Sequence, residues 1–194
     1  DKTKTYSEEY PSYTTGSGMS DFVVHPAFNY GTTKLAGIWV GKYETSHTEC
    51  TTTESTGSTD TNVTTLTATI RANVTSWRNI SISNIYTVCT ELNKAVNSND
   101  MESVDPHLMK NTEWGAVAYL SQNTTYGKGS EVWINNSSDY ITGNAGNSVS
   151  ASSASGITNA YNTSNGMQAS TTGNVTGIYD MSGGAWEYTA AYVN

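Results

Sequence analysis

Side chains that end in a hydroxyl or an amide dominate this chain, and they limit its fold more than any other property. Ser and Thr supply 55 of the 194 residues and Asn another 19, whereas charged residues are only 13 %. Solubility therefore comes from neutral polar groups, a usage typical of extracellular and particle-surface proteins. The same residues are weak helix formers, because they hydrogen-bond to nearby backbone in non-helical conformations. Any helix here must be held by packing. A chain of this length can build one domain with a real core, and no apolar run approaches the ~20 residues of a membrane span.

The formal net charge of -8 and an isoelectric point near 4.7 oppose binding to phosphate backbones. Nucleic-acid affinity needs clustered Lys and Arg that release counterions, and the nine basic residues here are scattered. Neither a nucleic-acid partner nor direct membrane insertion is expected. Two cysteines, Cys50 and Cys89, allow at most one disulfide. A Cys50–Cys89 bond would tie a polar loop to a helix and add roughly 2–4 kcal/mol; the alternative is a Cys89 buried as a small apolar residue and a free Cys50. His25, His47 and His107 fit no metal-ligand spacing and read as surface or hydrogen-bonded core residues. Asp105 and Asp180 lack a second carboxylate in a catalytic frame, and Asp180 is expected to accept backbone N–H groups in the turn after its strand.

Residues 1–21 read as an extended arm broken by Pro11 and Gly16, followed by a single domain over 22–194. Asp1 opens directly into polar sequence without a signal-peptide pattern, so the segment reads as mature or excised. An edge strand ended by Pro26 is expected over 22–28, and the clearest strand, apolar on both faces, over Leu35–Thr45. The Thr- and Ser-rich stretch 46–69 reads as a surface insertion. Ser76 can cap a helix running to about Asn93, with Ile82, Ile85, Cys89 and Leu92 on one face. Asn111 can cap a second helix, with Glu113 in its first turn and Trp114, Val117, Ala118 and Ser121 on one face. Beyond it, strand fragments at Glu131–Asn135 and Ile178–Met181 bracket a loop-rich region, 135–170, either ordered or mobile.

Three blocks, in order, carry a family resemblance. They are Ile38-Trp39-Val40-Gly41-Lys42-Tyr43-Glu44-Thr45, then Leu108-Met109-Lys110-Asn111-Thr112-Glu113-Trp114-Gly115-Ala116-Val117-Ala118, and Gly177-Ile178-Tyr179-Asp180-Met181-Ser182-Gly183-Gly184-Ala185-Trp186-Glu187-Tyr188. Together with Val74-Thr75-Ser76-Trp77, they resemble the opening strand, the two helix starts and the signature of the formylglycine-generating-enzyme, or sulfatase-modifying, family. The resemblance covers about a fifth of the chain. It implies an α+β, C-type-lectin-like fold with two helices, short antiparallel strands and long irregular loops, here without a match to the family's C-terminal region. Trp39, Glu44, Glu113, Trp114, Asp180, Trp186 and Glu187 are the structural signature residues it marks; Trp114 and Trp186 read as core residues, and Trp39 belongs to the strand expected to be buried on both faces.

The family's catalytic cysteines lie downstream of the signature, and Cys50 and Cys89 precede it, so no catalytic residue is assigned and the chain is expected not to be an enzyme. The family's signature Asn, which helps place calcium, is Gly184 here, and its second Trp is Tyr188. Asn144, in the loop before the signature, is the remaining candidate calcium ligand; no other cofactor is expected. Eight Asn-x-Ser/Thr sequons, at Asn62, Asn73, Asn79, Asn123, Asn135, Asn136, Asn162 and Asn174, are candidate glycosylation sites, most of them explained by composition. Tyr126, Trp133, Tyr140 and Tyr161 are candidate ligand-loop aromatics, of the kind that supply rigid contact area, or simply plugs that hold loops to the core. The expectation is a non-enzymatic surface or filament protein, such as an adhesin, pilus-like subunit or phage tail component. Its partners would be copies of itself, other subunits, or a host glycan or protein receptor. The alternatives are a purely structural subunit completed by neighbouring chains and, last, a fragment of an oxidase.

Overall fold

His25 and Pro26 set the first turn of the structure, a computed structural model that describes residues 25–52, 66–97 and 105–191. Proline fixes φ near its helical value and lacks an N–H that the first helical position would leave unpaired. Pro26–Phe28 therefore forms a 3-10 turn, with His25 Nδ1 accepting the Ala27 N–H at 3.2 Å. The edge strand expected there does not form within the described residues. The chain then folds into a hairpin of β1 (Asn29–Tyr30) and β2 (Thr33–Lys34), turning at Gly31 with φ +58°. The arm expected over 1–21 lies outside the described residues. Two compact units result, Asp1–Trp39 and Val40–Asn194.

In the second unit the strand expected over Leu35–Thr45 is a correction. Only Thr45–His47 (β3) is extended and paired, antiparallel to Ala68–Ile70 (β4), with Ser46 opposite Thr69. Gly37 and Gly41 interrupt the apolar run, and glycine weakens a strand interior. Ser46 and His47 are buried in that pair, so 46–47 and 68–69 are strand ends rather than parts of a surface insertion. Residues 53–65 lie outside the described set.

The helix α1 spans Ile82–Asn97 and starts later than expected. Asn79 sits at φ +57°, a left-handed conformation that a helix begun at Ser76 could not pass through. Ser81 caps the helix instead: its Oγ accepts the Asn84 N–H at 3.3 Å and its carbonyl the Ile85 N–H at 2.9 Å. Ser76 is buried, and its N–H donates to the Tyr140 carbonyl. Val88 faces inward with Ile85, Cys89 and Leu92 half-buried beside it, while Ile82 is 58 % exposed. The helix α2 spans Asn111–Gln122, so Asn111 is its first residue and not the cap expected. Its cap position is Lys110, whose N–H donates to Glu113 Oε2 at 2.8 Å, and Glu113, Val117 and Ser121 are its buried face.

From Glu131 onward the described chain holds single bridges rather than strands, among them Asn135 with Gly183, Ser137 with Ala154 and Ala145 with Asn159. Of the two strand fragments expected there, Glu131–Asn135 keeps only the bridge at Asn135, and Ile178–Met181 forms neither strand nor bridge. The loop-rich stretch is ordered around wholly buried Ile141, Thr142, Asn144 and Ala145. A small apolar cluster of Ala145, Ala169 and Tyr179, with Tyr43 and Tyr161 against it, closes the interior. The architecture is thus mixed α and β, with two helices and short antiparallel strands. No helix among the described residues is long and apolar enough to cross a membrane.

Candidate functional site

Asp180 is the hub of the second unit. It is 3 % exposed and sits at φ +63°. Its carboxylate accepts the Asn135 amide at 2.8 Å, the Gly143 N–H at 2.9 and 3.0 Å, and the Glu44 N–H at 3.2 Å. The backbone donors come from distant segments, not from its own turn as expected. Burial pushes its pKa up to about 6; the hydrogen bonds act the other way, and the nearby Glu187 charge adds to the rise.

Asn135 extends this hub. Its amide also donates to the Ile141 carbonyl at 2.8 Å, and its oxygen accepts from Ser137 N–H and from Asn144. Asn144 donates to Asn135 and Asn136, and its carbonyl oxygen, the atom a calcium ion would need, accepts the Thr158 N–H at 2.7 Å. Asn144 is therefore a buried crosslink. Among the described residues no group of three His, Cys, Asp or Glu side chains is placed to hold a metal.

Glu44 lies under the signature turn. Its Oε1 accepts the Ala185 N–H at 2.9 Å, while Oε2 is buried without a well-formed hydrogen bond, as is the hydroxyl of Ser76. Burial first, and the charges of Asp180 and Glu187 after it, hold the Glu44 pKa well above the usual carboxylate range, and the Ala185 N–H and Ser76 hydroxyl offset this only in part. The turn needs its glycines. Gly183 (φ +78°) and Gly184 (φ +73°) are left-handed, and a Cβ would collide with the Asn135 carbonyl at the first and with the Glu44 carboxylate at the second. This is the physical counterpart of finding Gly184 where the resembled signature has Asn.

Beyond the turn the Trp114 indole N–H donates to Glu187 Oε2 at 2.9 Å. An open cleft of about 390 Å³ lies here, lined by α2 residues Asn111 and Trp114 and by Asp180, Met181, Gly183, Ala185, Glu187 and Thr189. Trp186 is 100 % exposed and Tyr188 55 %. The core position expected for Trp186 is thus a correction. Its neighbours are hydrogen-bonded across the unit, the Ala185 N–H to Glu44 and the Glu187 carboxylate to Trp114, while Trp186 itself lies in an exposed stretch. Trp39, expected in a strand buried on both faces, is 96 % exposed.

The other candidates disperse. Glu113 lies beside His107, 3.1 Å from its Nε2, and Lys110, 3.2 Å from its Nζ; burial would raise its pKa, but the Lys110 N–H and these two side chains lower it. Asp105, exposed, approaches His107 from the other side at 3.6 Å. His47 is buried edge-on against Trp77. Of the two alternatives left open for Cys50 and Cys89, the structure has both as free thiols. Cys50 is the more buried, its Sγ accepting the His47 N–H at 3.4 Å, and burial raises the Cys89 thiol pKa. Tyr161 packs against Tyr43 and Tyr179, Tyr140 lies under Arg78, Trp133 is half-buried, and Tyr126 alone of the four loop aromatics is widely exposed. Asn135 and Asn136 are buried and bonded; Asn73 is half-buried, and Asn79, Asn123, Asn162 and Asn174 are exposed. Asn62 lies outside the described residues.

Sequence reasoning missed Asn135 as a hub, although it stands in a sequon, because nothing in an Asn-Asn pair distinguishes a buried crosslink from a loop residue. It also missed Lys42, whose ammonium lies 5.4 to 5.8 Å from the rings of Tyr43, Tyr161 and Tyr179. Comparison with protein-family models, curated proteins and solved structures finds no match to this chain.

Proposed function

We propose that this chain is a non-enzymatic extracellular surface or filament protein, with the C-type-lectin-like organisation its sequence resembles, and that it works by assembling with partner polypeptides. The observation that carries this is the full exposure of Trp186, with Tyr188 beside it in sequence and an open cleft lined by both of its neighbours. A tryptophan can bury 150–250 Å², worth about 4–6 kcal/mol at roughly 25 cal/mol per Å², and such residues dominate protein interfaces. The composition, poor in charge and rich in hydroxyls, supports an extracellular setting. Neither cysteine has the surroundings of a reactive thiol: Cys50 is buried where its N–H closes the turn from His47, and the Cys89 thiolate is disfavoured.

A second reading, adhesion to a host glycan or protein receptor, is favoured by the exposed ring of Tyr126 in a loop of small polar residues. Light scattering after size-exclusion chromatography tests the first. Self-association that grows with concentration and is lost in Trp186→Ser is expected. A wild-type chain that stays monomeric at the highest attainable concentration would sink the assembly reading.

A further inference from the structure

The cleft between α2 and residues 180–189 combines an indole wall with acids that have no counter-charge. Asp180 and Glu187 line it together with Trp114, Asn111 and Thr189. Glu44, 8 % exposed, stands behind the Ala185 wall, with one carboxylate oxygen that makes no well-formed hydrogen bond. The three carboxylates repel one another, and no basic side chain among the described residues offsets them. Within the second unit the described cations are all engaged elsewhere. Lys42 lies among tyrosine rings, Arg71 donates to the His47 and Cys50 carbonyls, and Arg78 covers Tyr140. Lys110 pairs with Glu113, and Lys128 donates to the carbonyls of Glu131 and Gln168.

We infer that this cleft takes the basic side chain of a partner polypeptide, an arginine above all, seated between the Glu187 carboxylate and the Trp114 indole. A guanidinium is planar, weakly hydrated, and both stacks on aromatic faces and donates to carboxylates. Glu187 offers the oxygen that Trp114 leaves unused, while the Asn111 amide and Thr189 hydroxyl add neutral acceptors at the rim. A compact metal ion, by contrast, has no converging set of ligands among the described residues. The inference rests on the assembly reading and gives that partner a chemistry.

The test follows the indole N–H signals of Trp114 and Trp186 by nitrogen–proton NMR. The titrants are an acetyl-Gly-Arg-Gly-amide peptide, its citrulline counterpart and lactose. The arginine peptide is expected to shift the Trp114 indole, with binding weakened about tenfold in Glu187→Gln and weakened again by salt. The amide oxygen introduced by this variant can still accept the indole N–H, so the fold is kept. Equal binding of the citrulline peptide, binding of lactose alone, or no shift with any probe in the folded protein would overturn the inference. Self-association without peptide binding would leave assembly standing and remove this cleft from it. Peptide binding by a persistent monomer would do the reverse.

Discussion

Glu44 and Asp180 are acids with different protection. Asp180 receives hydrogen bonds from three residues, whereas Glu44 has one firm bond and an oxygen without any, so the proton the pair retains belongs on Glu44. A carboxyl whose pKa is raised on folding binds its proton more tightly in the folded state. Its contribution is therefore greatest at low pH and is lost as pH rises, through about 6 for Asp180 and well above the usual carboxylate range for Glu44. A tenfold change in proton affinity corresponds to about 1.4 kcal/mol. Glu113 acts oppositely: its lowered pKa contributes stability above the usual carboxylate range and loses it as pH falls. Glu44→Gln removes one buried charge while keeping an acceptor for Ala185. Melting curves should show the variant more stable than wild type at roughly pH 8, with a shallower decline from roughly pH 5. An unchanged pH slope would refute this assignment.

At the scale of elements, the signature turn is decided by two glycines and the helices by their caps. In Gly183→Ala the new methyl meets the Asn135 backbone, which cannot yield, whereas in Gly184→Ala it meets a side-chain carboxylate, which can move at the cost of its bond to Ala185. Urea unfolding is expected to show a loss of about 3 kcal/mol for the first and about 1–2 kcal/mol for the second; the reverse order would contradict the turn geometry. The helix α2 was legible because Glu113, Trp114, Val117 and Ser121 combine a first-turn acid with helical spacing. The start of α1 was not, because Ser76 and Ser81 are both good caps, and the left-handed Asn79 that separates them comes from its surroundings.

The whole second unit is held by amides and hydroxyls as much as by apolar contact. Its apolar cluster is small, and Asn135, Asn144, Thr142 and Asp180 tie together segments far apart in sequence. Net hydrogen-bond contributions of about 1 kcal/mol each make such a network effective only when nearly complete. It also sorts the sequons. In a glycosylating secretory host, peptide mapping of the folded, secreted protein should find glycans at Asn123, Asn162 and Asn174 and none at Asn135 or Asn136, whose amides are bonded inside. Glycan at Asn135 in a protein that melts normally would contradict the network.

What the sequence by itself determined was local. Helical periodicity placed α2, and a family resemblance implied short antiparallel strands and singled out Glu44, Asp180 and Glu187, which the structure brings to one cleft and the turn beside it. Direction and burial were decided by tertiary structure. Trp186 is fully exposed while the residues on either side of it are hydrogen-bonded to residues 44 and 114, partners that no window around the motif contains. Asn135 and Asn144 are core crosslinks for the same reason: an amide is buried only when distant segments supply its partners, and those partners exist only in the folded chain.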